Sequence, residues 1–266
     1  MVVGPVRVVS LGTREYLACW ELQRVLASAR REGKVPDLLL LVEHPPTYTI
    51  GRSGHRSNLL VDDSMLARLG ASCHSVDRGG DITFHGPGQL VVYIISELGV
   101  AERSVRRFVE RLELTVIEML KQFGVWAGID PDRPGVWVGT DKIAAIGIAV
   151  RRGITYHGFA LNVDVDLTYF EYMIPCGIPD RGVTSLARLL GRPIEINEVT
   201  KVTVASFARV FERQVTVARD DEGWLEAVLR HSGGGDRPLV GSQYRQNADQ
   251  ERLLNDVAPH ESIGFL

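Results

Sequence analysis

Apolar residues recur with a helical period over residues 16–31, where Leu22, Val25, Leu26 and Ala29 fall at i, i+3, i+4 and i+7. This is one stripe of an amphipathic helix, closed by Gly33 and Pro36. A longer stripe runs over residues 104–123, with Val105, Phe108, Val109, Leu112, Val116, Met119, Leu120 and Phe123 on one face. Ser104 is placed to cap its start and Gly124 lies just past its end. Val204, Phe207, Ala208 and Phe211 mark another helix, which Asn197 is expected to cap. Elsewhere the period changes. Residues 38–42 are apolar throughout, as suits a strand buried on both faces near the middle of a sheet. Residues 143–150 and 157–163 read as two more strands, paired as a hairpin through Arg151-Arg152-Gly153. Residues 51–58, rich in glycine, serine and arginine, read as a long exposed loop of the kind that often carries function.

Strands and helices in this order predict an α/β (α+β) domain, a mixed central sheet flanked by helices. The domain is expected to occupy residues 1–218. Residues 219–266 are polar, contain Gly233-Gly234-Gly235, and read as a partly flexible C-terminal extension in which residues 224–229 could form one short helix.

The composition, 266 residues with 45% hydrophobic and 24% charged, is that of an ordinary globular protein with a sizeable core. Its longest apolar runs fall well short of the ~18 residues of a membrane span. No basic segment followed by an apolar core opens the chain, so a cytoplasmic protein without membrane contact is expected. A net charge of −3 gives no drive toward nucleic acid. Arg103, Arg106, Arg107 and Arg111 form a local basic run, read as a solvated helix face.

Three cysteines at wide spacing, Cys19, Cys73 and Cys176, exclude a disulfide framework and a zinc ribbon. Cys19 and Cys73 read as small buried hydrophobes. Cys176 stands between Pro175 and Gly177, on a turn, where a thiol is accessible and can act as a nucleophile. Such a thiol needs a base or a cation beside it. Lys142, at the mouth of the apolar run 143–148, could serve if desolvation lowers its pKa; it could equally be a strand-edge lysine that blocks unwanted pairing. His85 or His157 could complete a Cys–His pair. The histidines His44, His55, His74, His85, His157, His231 and His260 show no metal-ligand spacing, and no metal is expected. There is no phosphate-binding Gly-x4-Gly-Lys-Ser/Thr loop, and the glycine-rich segment 78–89 does not open a helix, so neither a nucleotide nor any other cofactor is expected. That segment, Arg78-Gly-Gly-Asp-Ile-Thr-Phe-His-Gly-Pro-Gly-Gln, precedes the apolar run 90–95. Bare of side chains, it lets backbone N–H groups approach a ligand and reads as the wall of a binding site.

Segment 78–89, Lys142-Ile-Ala-Ala-Ile-Gly147, His157-Gly-Phe-Ala-Leu-Asn162, Pro175-Cys-Gly-Ile178, Thr184-Ser-Leu186 and the run over residues 38–52 occur in the order and spacing of a known family. From residue 6 to 213 the chain resembles the lipoyl(octanoyl) transferases, the LipB family. The resemblance implies the fold of biotin and lipoate ligase catalytic domains, with an acyl chain lying in a tunnel between glycine-rich strands. It implies transfer of an octanoyl group from octanoyl-acyl carrier protein to a lysine of lipoyl domains, those of 2-oxoacid dehydrogenase complexes and of the glycine cleavage H protein. In that pattern Cys176 is the acyl-thioester nucleophile, and Lys142 lowers its pKa and serves as acid and base. Arg78, Gly79, Gly80, Asp81, Ile82, Thr83, Phe84 and His85, then Ala145, Ile146 and Gly147, then Gly158, Phe159 and Ala160, align with substrate-binding segments. Phe84 stands where the family more often shows tyrosine or tryptophan, which keeps its packing and removes a ring hydrogen bond. A ligase of the same fold that activates a free acid, or an acyl-binding module without chemistry, are the rival readings; Pro175-Cys176-Gly177 together with Lys142 favours the transferase. A monomer is expected, and bulky residues at Gly79 or Gly80 are expected to shorten the accepted chain.

Overall fold

The structure, a computed structural model, describes residues 4–98, 104–131, 133–174, 182–217 and 221–231. The chain opens with β1 (Val6–Thr13), α1 (Tyr16–Arg31) and β2 (Asp37–Glu43). A small sheet follows, built from β3 (Thr47–Ile50), β4 (Ser72–Ser75) and β5 (Ile82–His85), with α2 (Asp63–Arg68) between the first two. Then come β6 (Gln89–Ile95), α3 (Val105–Gln122), β7 (Gly128–Asp130), β8 (Arg133–Val138), β9 (Asp141–Arg151) and β10 (Ile154–Asn162). The last elements are α4 (Leu186–Leu190), α5 (Ile196–Val210), β11 (Val215–Val217) and α6 (Asp221–His231).

The large sheet runs β11-β1-β2-β6-β10-β9-β8-β7. Its β11–β1 and β1–β2 pairs are parallel and the rest antiparallel, the mixed sheet that the sequence predicts. Strand β2 lies inside it, and Leu38, Leu39 and Leu40 are fully buried. Burying each such side chain stabilises the fold by roughly 1.5–3 kcal/mol. Helices α3 and α5 cover one face through Phe108, Leu112, Val116, Val204 and Phe207; α1 covers the other through Leu22 and Leu26. A separate core of Tyr48, Ile50, Phe84, Phe170 and Met173 lies under the small sheet, β4-β3-β5.

The helical stripes produce α1 and α3, and the Ser104 hydroxyl accepts the Arg107 N–H at 3.2 Å. The hairpin is β9–β10. Asn197 does not cap α5: burial of Ile194 and Val199 sets the helix start slightly earlier, with Glu195 at the cap position and Asn197 in the first turn. The basic run divides as well. Arg106 is a solvated partner of Glu110, whereas Arg111 turns inward, donating to Val210 O at 2.6 Å and lying 4.6 Å over the Phe211 ring, so that it ties α3 to α5. Arg103 lies outside the described residues. The short helix read at 224–229 belongs to α6, which seats Leu225 and Trp224 against the α1-side core and receives the Arg7 guanidinium 4.2 Å over the Trp224 ring. No described helix is long and apolar enough to cross a membrane.

Candidate active site

A cavity of about 320 Å³ lies between the β9–β10 hairpin and the small sheet, within the range of small-ligand sites. Among the described residues, its lining takes in Arg78, Gly79, Gly80, Asp81, Ile82, Thr83, His85, Lys142, Ala145, Ile146, Gly147, Gly158, Phe159 and Ala160. Phe84 is the exception among the expected residues. Its ring stacks on Tyr169 at 4.5 Å inside the small-sheet core.

The floor is nearly bare. Ala145 pairs with Ala160 and Gly147 with Gly158 across β9 and β10. A Cβ on Gly158 would lie 2.1 Å from Val92 O, and one on Gly147 would lie 2.7 Å from Gly79 O, so both glycines are demanded by backbone approach. Gly79 differs. Its N–H donates to Ile148 O at 2.9 Å, and an added Cβ meets only that oxygen, at 3.4 Å. Gly80 has φ +87°, where any side chain is strained.

Arg78, buried, braces this wall. Its Nη2 donates to Thr49 O at 2.6 Å and to Thr49 Oγ1 at 2.9 Å, and its Nη1 to Gly79 O at 3.1 Å. The exposed loop over residues 51–58 is zipped to the same segment through Arg52 N to Arg78 O and Ser53 N to Gly80 O.

A relay joins four of the sequence motifs. His85 Nδ1 meets Gln89 Oε1 at 2.8 Å, Gln89 Nε2 donates to Asn162 Oδ1 at 2.9 Å, and Asn162 Nδ2 donates to Thr184 O at 3.0 Å. Thr184 N then donates to Lys142 O at 3.0 Å, and Lys142 N to Gly182 O at 3.0 Å. Because Gln89 Oε1 only accepts, His85 carries its proton on Nδ1. Burial, with His44 and Arg78 nearby, holds its pKa well below the usual imidazole value. Gln89 and Asn162 close two of the motifs, and their signal in the sequence is a polar amide ending an apolar strand.

Lys142 is half-buried at one end of the cavity. Its Nζ donates to Pro134 O at 3.4 Å and lies 4.7 Å from the Trp137 ring centroid. Pro134 is placed by Glu113 of α3, which accepts the Gly135 N–H at 3.0 Å. Cys176 lies outside the described residues. The chain on either side of it lines the cavity, through Met173 before and Val183 after, and Val183 bridges to Lys142. Cys19 is buried, its thiol pushed up to about 12 by burial. Cys73 is half-buried and free.

At the cavity's other end lie Tyr16, Tyr93 and His157. His44, its pKa pushed down to about 4 by burial, donates from Nδ1 to Arg14 O at 2.6 Å and accepts at Nε2 from the Tyr93 hydroxyl at 2.7 Å. Asp77 accepts from Trp20 Nε1 at 3.0 Å, from His157 Nε2 at 2.9 Å and from the Tyr156 hydroxyl. Burial works against its charge, but these hydrogen bonds outweigh burial and hold its pKa below the carboxylate range. His157 has φ +59°, a conformation that costs a non-glycine residue about 1–3 kcal/mol. Asp77, Trp20, Tyr16 and Tyr93 are absent from the sequence reading of the site because nothing local to them signals it. No group of His, Cys, Asp and Glu that could hold a metal occurs among the described residues.

Comparison with known proteins gives the family and its fold. The family model "Lipoyl protein ligase A/B catalytic domain" matches residues 15–208. An octanoyltransferase of Caldicellulosiruptor bescii is 45% identical over 80% of this chain and 94% of its own. The chain belongs to the octanoyltransferase family. Another octanoyltransferase, from Alkaliphilus metalliredigens, is 43% identical over 78% of this chain and 96% of its own. The mitochondrial octanoyltransferase LIP2 of Arabidopsis thaliana is 44% identical over 79% and 91%. The family's fold extends to ligases: lipoate-protein ligase A bound with ATP superimposes with TM-score 0.66 at 17% identity, covering 88% of this chain and 98% of that one. Ta0514 of T. acidophilum with bound lipoic acid gives TM-score 0.67 at 18% identity, covering 85% and 94%.

Proposed function

We propose that this octanoyltransferase takes its acyl group from octanoyl-acyl carrier protein and delivers it to the lysine of lipoyl-accepting domains through a thioester on Cys176. The observation that carries the reading is the cavity that begins at Lys142 and is flanked by the two ends of the segment holding Cys176. Lys142 takes the Cys176 proton; the thiolate attacks the octanoyl carbonyl, the carbon–sulfur bond to the carrier breaks, and the carrier thiolate takes that proton back from Lys142. The acceptor amine then attacks the Cys176 thioester, its proton passes to Lys142, and the amide forms as Cys176 leaves. Thioester exchange is nearly neutral and amide formation is downhill, so no nucleotide is required.

In this reading the glycine-rich wall from Arg78 to His85 and the small-residue floor bind the acyl chain, and the domain of residues 1–218 suffices for transfer. Acceptors include the lipoyl domains of 2-oxoacid dehydrogenase complexes and the glycine cleavage H protein, met by a cytoplasmic monomer. The test incubates the purified protein with octanoyl carrier protein and an apo lipoyl domain, without ATP, and weighs all three proteins. An octanoyl adduct on the wild type that is absent from Cys176→Ala, with acceptor mass rising by one octanoyl group, is expected. An adduct persisting in Cys176→Ala rules out the covalent route, and loading that requires ATP and free octanoate makes the protein a ligase.

A further inference from the structure

Along β10, successive side chains alternate between the faces of the sheet. Phe159 and Leu161 face the core under α3, and Tyr156 and Ala160 face the α1 side. His157 has the parity of Phe159, yet its ring lies 5.1 Å from Tyr156, 6.1 Å from Tyr93 and 6.5 Å from Trp20, on the α1 side, in the cavity wall. The left-handed backbone, φ +59°, makes this reversal, and the displaced His157 N–H is received by Gln23 Oε1 at 2.7 Å. Asp77 fixes the ring's tautomer. A carboxylate only accepts, so Nε2 carries the proton and Nδ1 presents a lone pair. That atom is buried and has no hydrogen-bond partner among the described residues.

We propose that His157 is the distal stop of the acyl channel: it limits the chain to about eight carbons, and its Nδ1 receives a hydrogen-bond donor carried at the chain's far end, such as a terminal hydroxyl. This inference rests on the transferase reading above. The channel floor begins at Asn162, which shares Thr184 with Lys142, passes Ala160 beside Val91, and ends at Gly158 beside Tyr93. Four residues of strand span about 13 Å. An extended eight-carbon acyl chain, at about 1.3 Å per bond, spans about 9 Å. With its carbonyl at the Lys142 end, the chain ends about 4 Å short of Gly158, one carbon–carbon contact distance from the wall that His157 forms there. Further methylenes would press on a buried acceptor and deny it any donor, whereas a hydroxyl there satisfies it.

The experiment measures kcat/KM for hexanoyl, octanoyl, 8-hydroxyoctanoyl and decanoyl carrier thioesters with the wild type, His157→Gly and His157→Phe. In the wild type, decanoyl transfer is expected to fall at least about tenfold below octanoyl, the scale set by extra methylenes in a closed pocket, with 8-hydroxyoctanoyl close to octanoyl. Glycine, at ease at this φ, removes the stop and raises the decanoyl-to-octanoyl ratio about tenfold. Phenylalanine keeps the length limit but loses 8-hydroxyoctanoyl by about tenfold, since the hydroxyl is then unpaired. His157→Asn, also tolerant of this conformation, repeats the length test if the glycine variant is unstable. Calorimetric binding of octanoate and decanoate reads the same ratio without turnover. Length discrimination in binding with no transfer overturns the transferase reading alone. Equal use of octanoyl and decanoyl by the wild type, or an unchanged ratio in the folded glycine and asparagine variants, overturns the role of His157.

Discussion

Glu113 in α3 accepts the Gly135 N–H at 3.0 Å, and that bond ties the helix to the strand whose Pro134 carbonyl and Trp137 ring receive the Lys142 ammonium. Burial raises the Glu113 pKa, against the opposing effect of the Gly135 hydrogen bond. Glu113→Ala leaves the Gly135 N–H buried and unpaired, at a cost of about 1–3 kcal/mol. Octanoyl transfer is expected to fall in kcat by about tenfold, a loss of some 1.4 kcal/mol in transition-state stabilisation, with Glu113→Gln intermediate. Steady-state kinetics beside thermal melts separates the two effects; a stability loss with unchanged kcat would mean that α3 does not position Lys142.

Acidification is expected to destabilise the protein well before its carboxylates titrate. His44, His85 and His157 all have folded-state pKa values depressed by burial, that of His44 to about 4. Their contribution is fully present above the unfolded value of about 6.5 and is lost as pH falls toward 4, because the unfolded chain takes protons that the folded state refuses. Each adds up to about 1.4 kcal/mol per pH unit to the slope. Urea midpoints measured from pH 7 to 4 are expected to decline throughout; a flat profile above pH 5 would contradict neutral buried imidazoles.

The glycines of the site are expected to respond differently to the same substitution. Gly158→Ala sets a methyl group 2.1 Å from Val92 O and 2.5 Å from Ile94 Cδ1, which costs about 3 kcal/mol in forced backbone movement. Gly79→Ala meets only Ile148 O at 3.4 Å and is expected to stay within about 0.5 kcal/mol of the wild type. Chemical denaturation of the pair checks the order. Larger residues at Gly79 then test chain length on a folded protein, whereas at Gly80, with φ +87°, strain would confound the result.

Asp37 is an ionic hub, 3% exposed, that receives Arg30 Nε at 2.6 Å and Arg213 Nη2 at 2.9 Å and joins α1 to the segment after α5. Asp37→Ala removes a charged partner from both arginines, leaving Arg30 with Glu97 and Arg213 with the Gly4 carbonyl, and is expected to cost about 1–3 kcal/mol. Denaturation midpoints should record that loss while octanoyl transfer at low temperature is unchanged, since Asp37 does not line the cavity.

Much of this molecule is legible in the chain. The stripes that give α1 and α3 are long enough for their period to dominate, and the uniform leucines of β2 report burial on both faces. The glycine-rich wall is legible because glycine names a backbone requirement. Tyr93 is not, since in an all-apolar strand it looks like core, and only pairing with β10 places it beside Gly158. His157 hides for a different reason. Alternation assigns it to the α3 face, and only the sign of one backbone dihedral, which no neighbouring residue announces, moves it into the cavity. Asp77 and Trp20 meet it from residues distant in sequence. Asn197 misleads because a good capping residue is a local signal, and the helix start is decided by what its first turn buries.

Where Ala145 meets Ala160 and Gly147 meets Gly158, the cavity's floor is little more than the peptide backbone itself. A floor lined with leucine or methionine could change rotamer, widening for a bulky guest and paying entropy to settle around a slim one. A floor of hydrogen and methyl groups has no such freedom to lose. It behaves as a fixed surface, and fitting the cavity to a guest falls to the larger side chains around it, among them Ile82, Ile146, Phe159 and Met173.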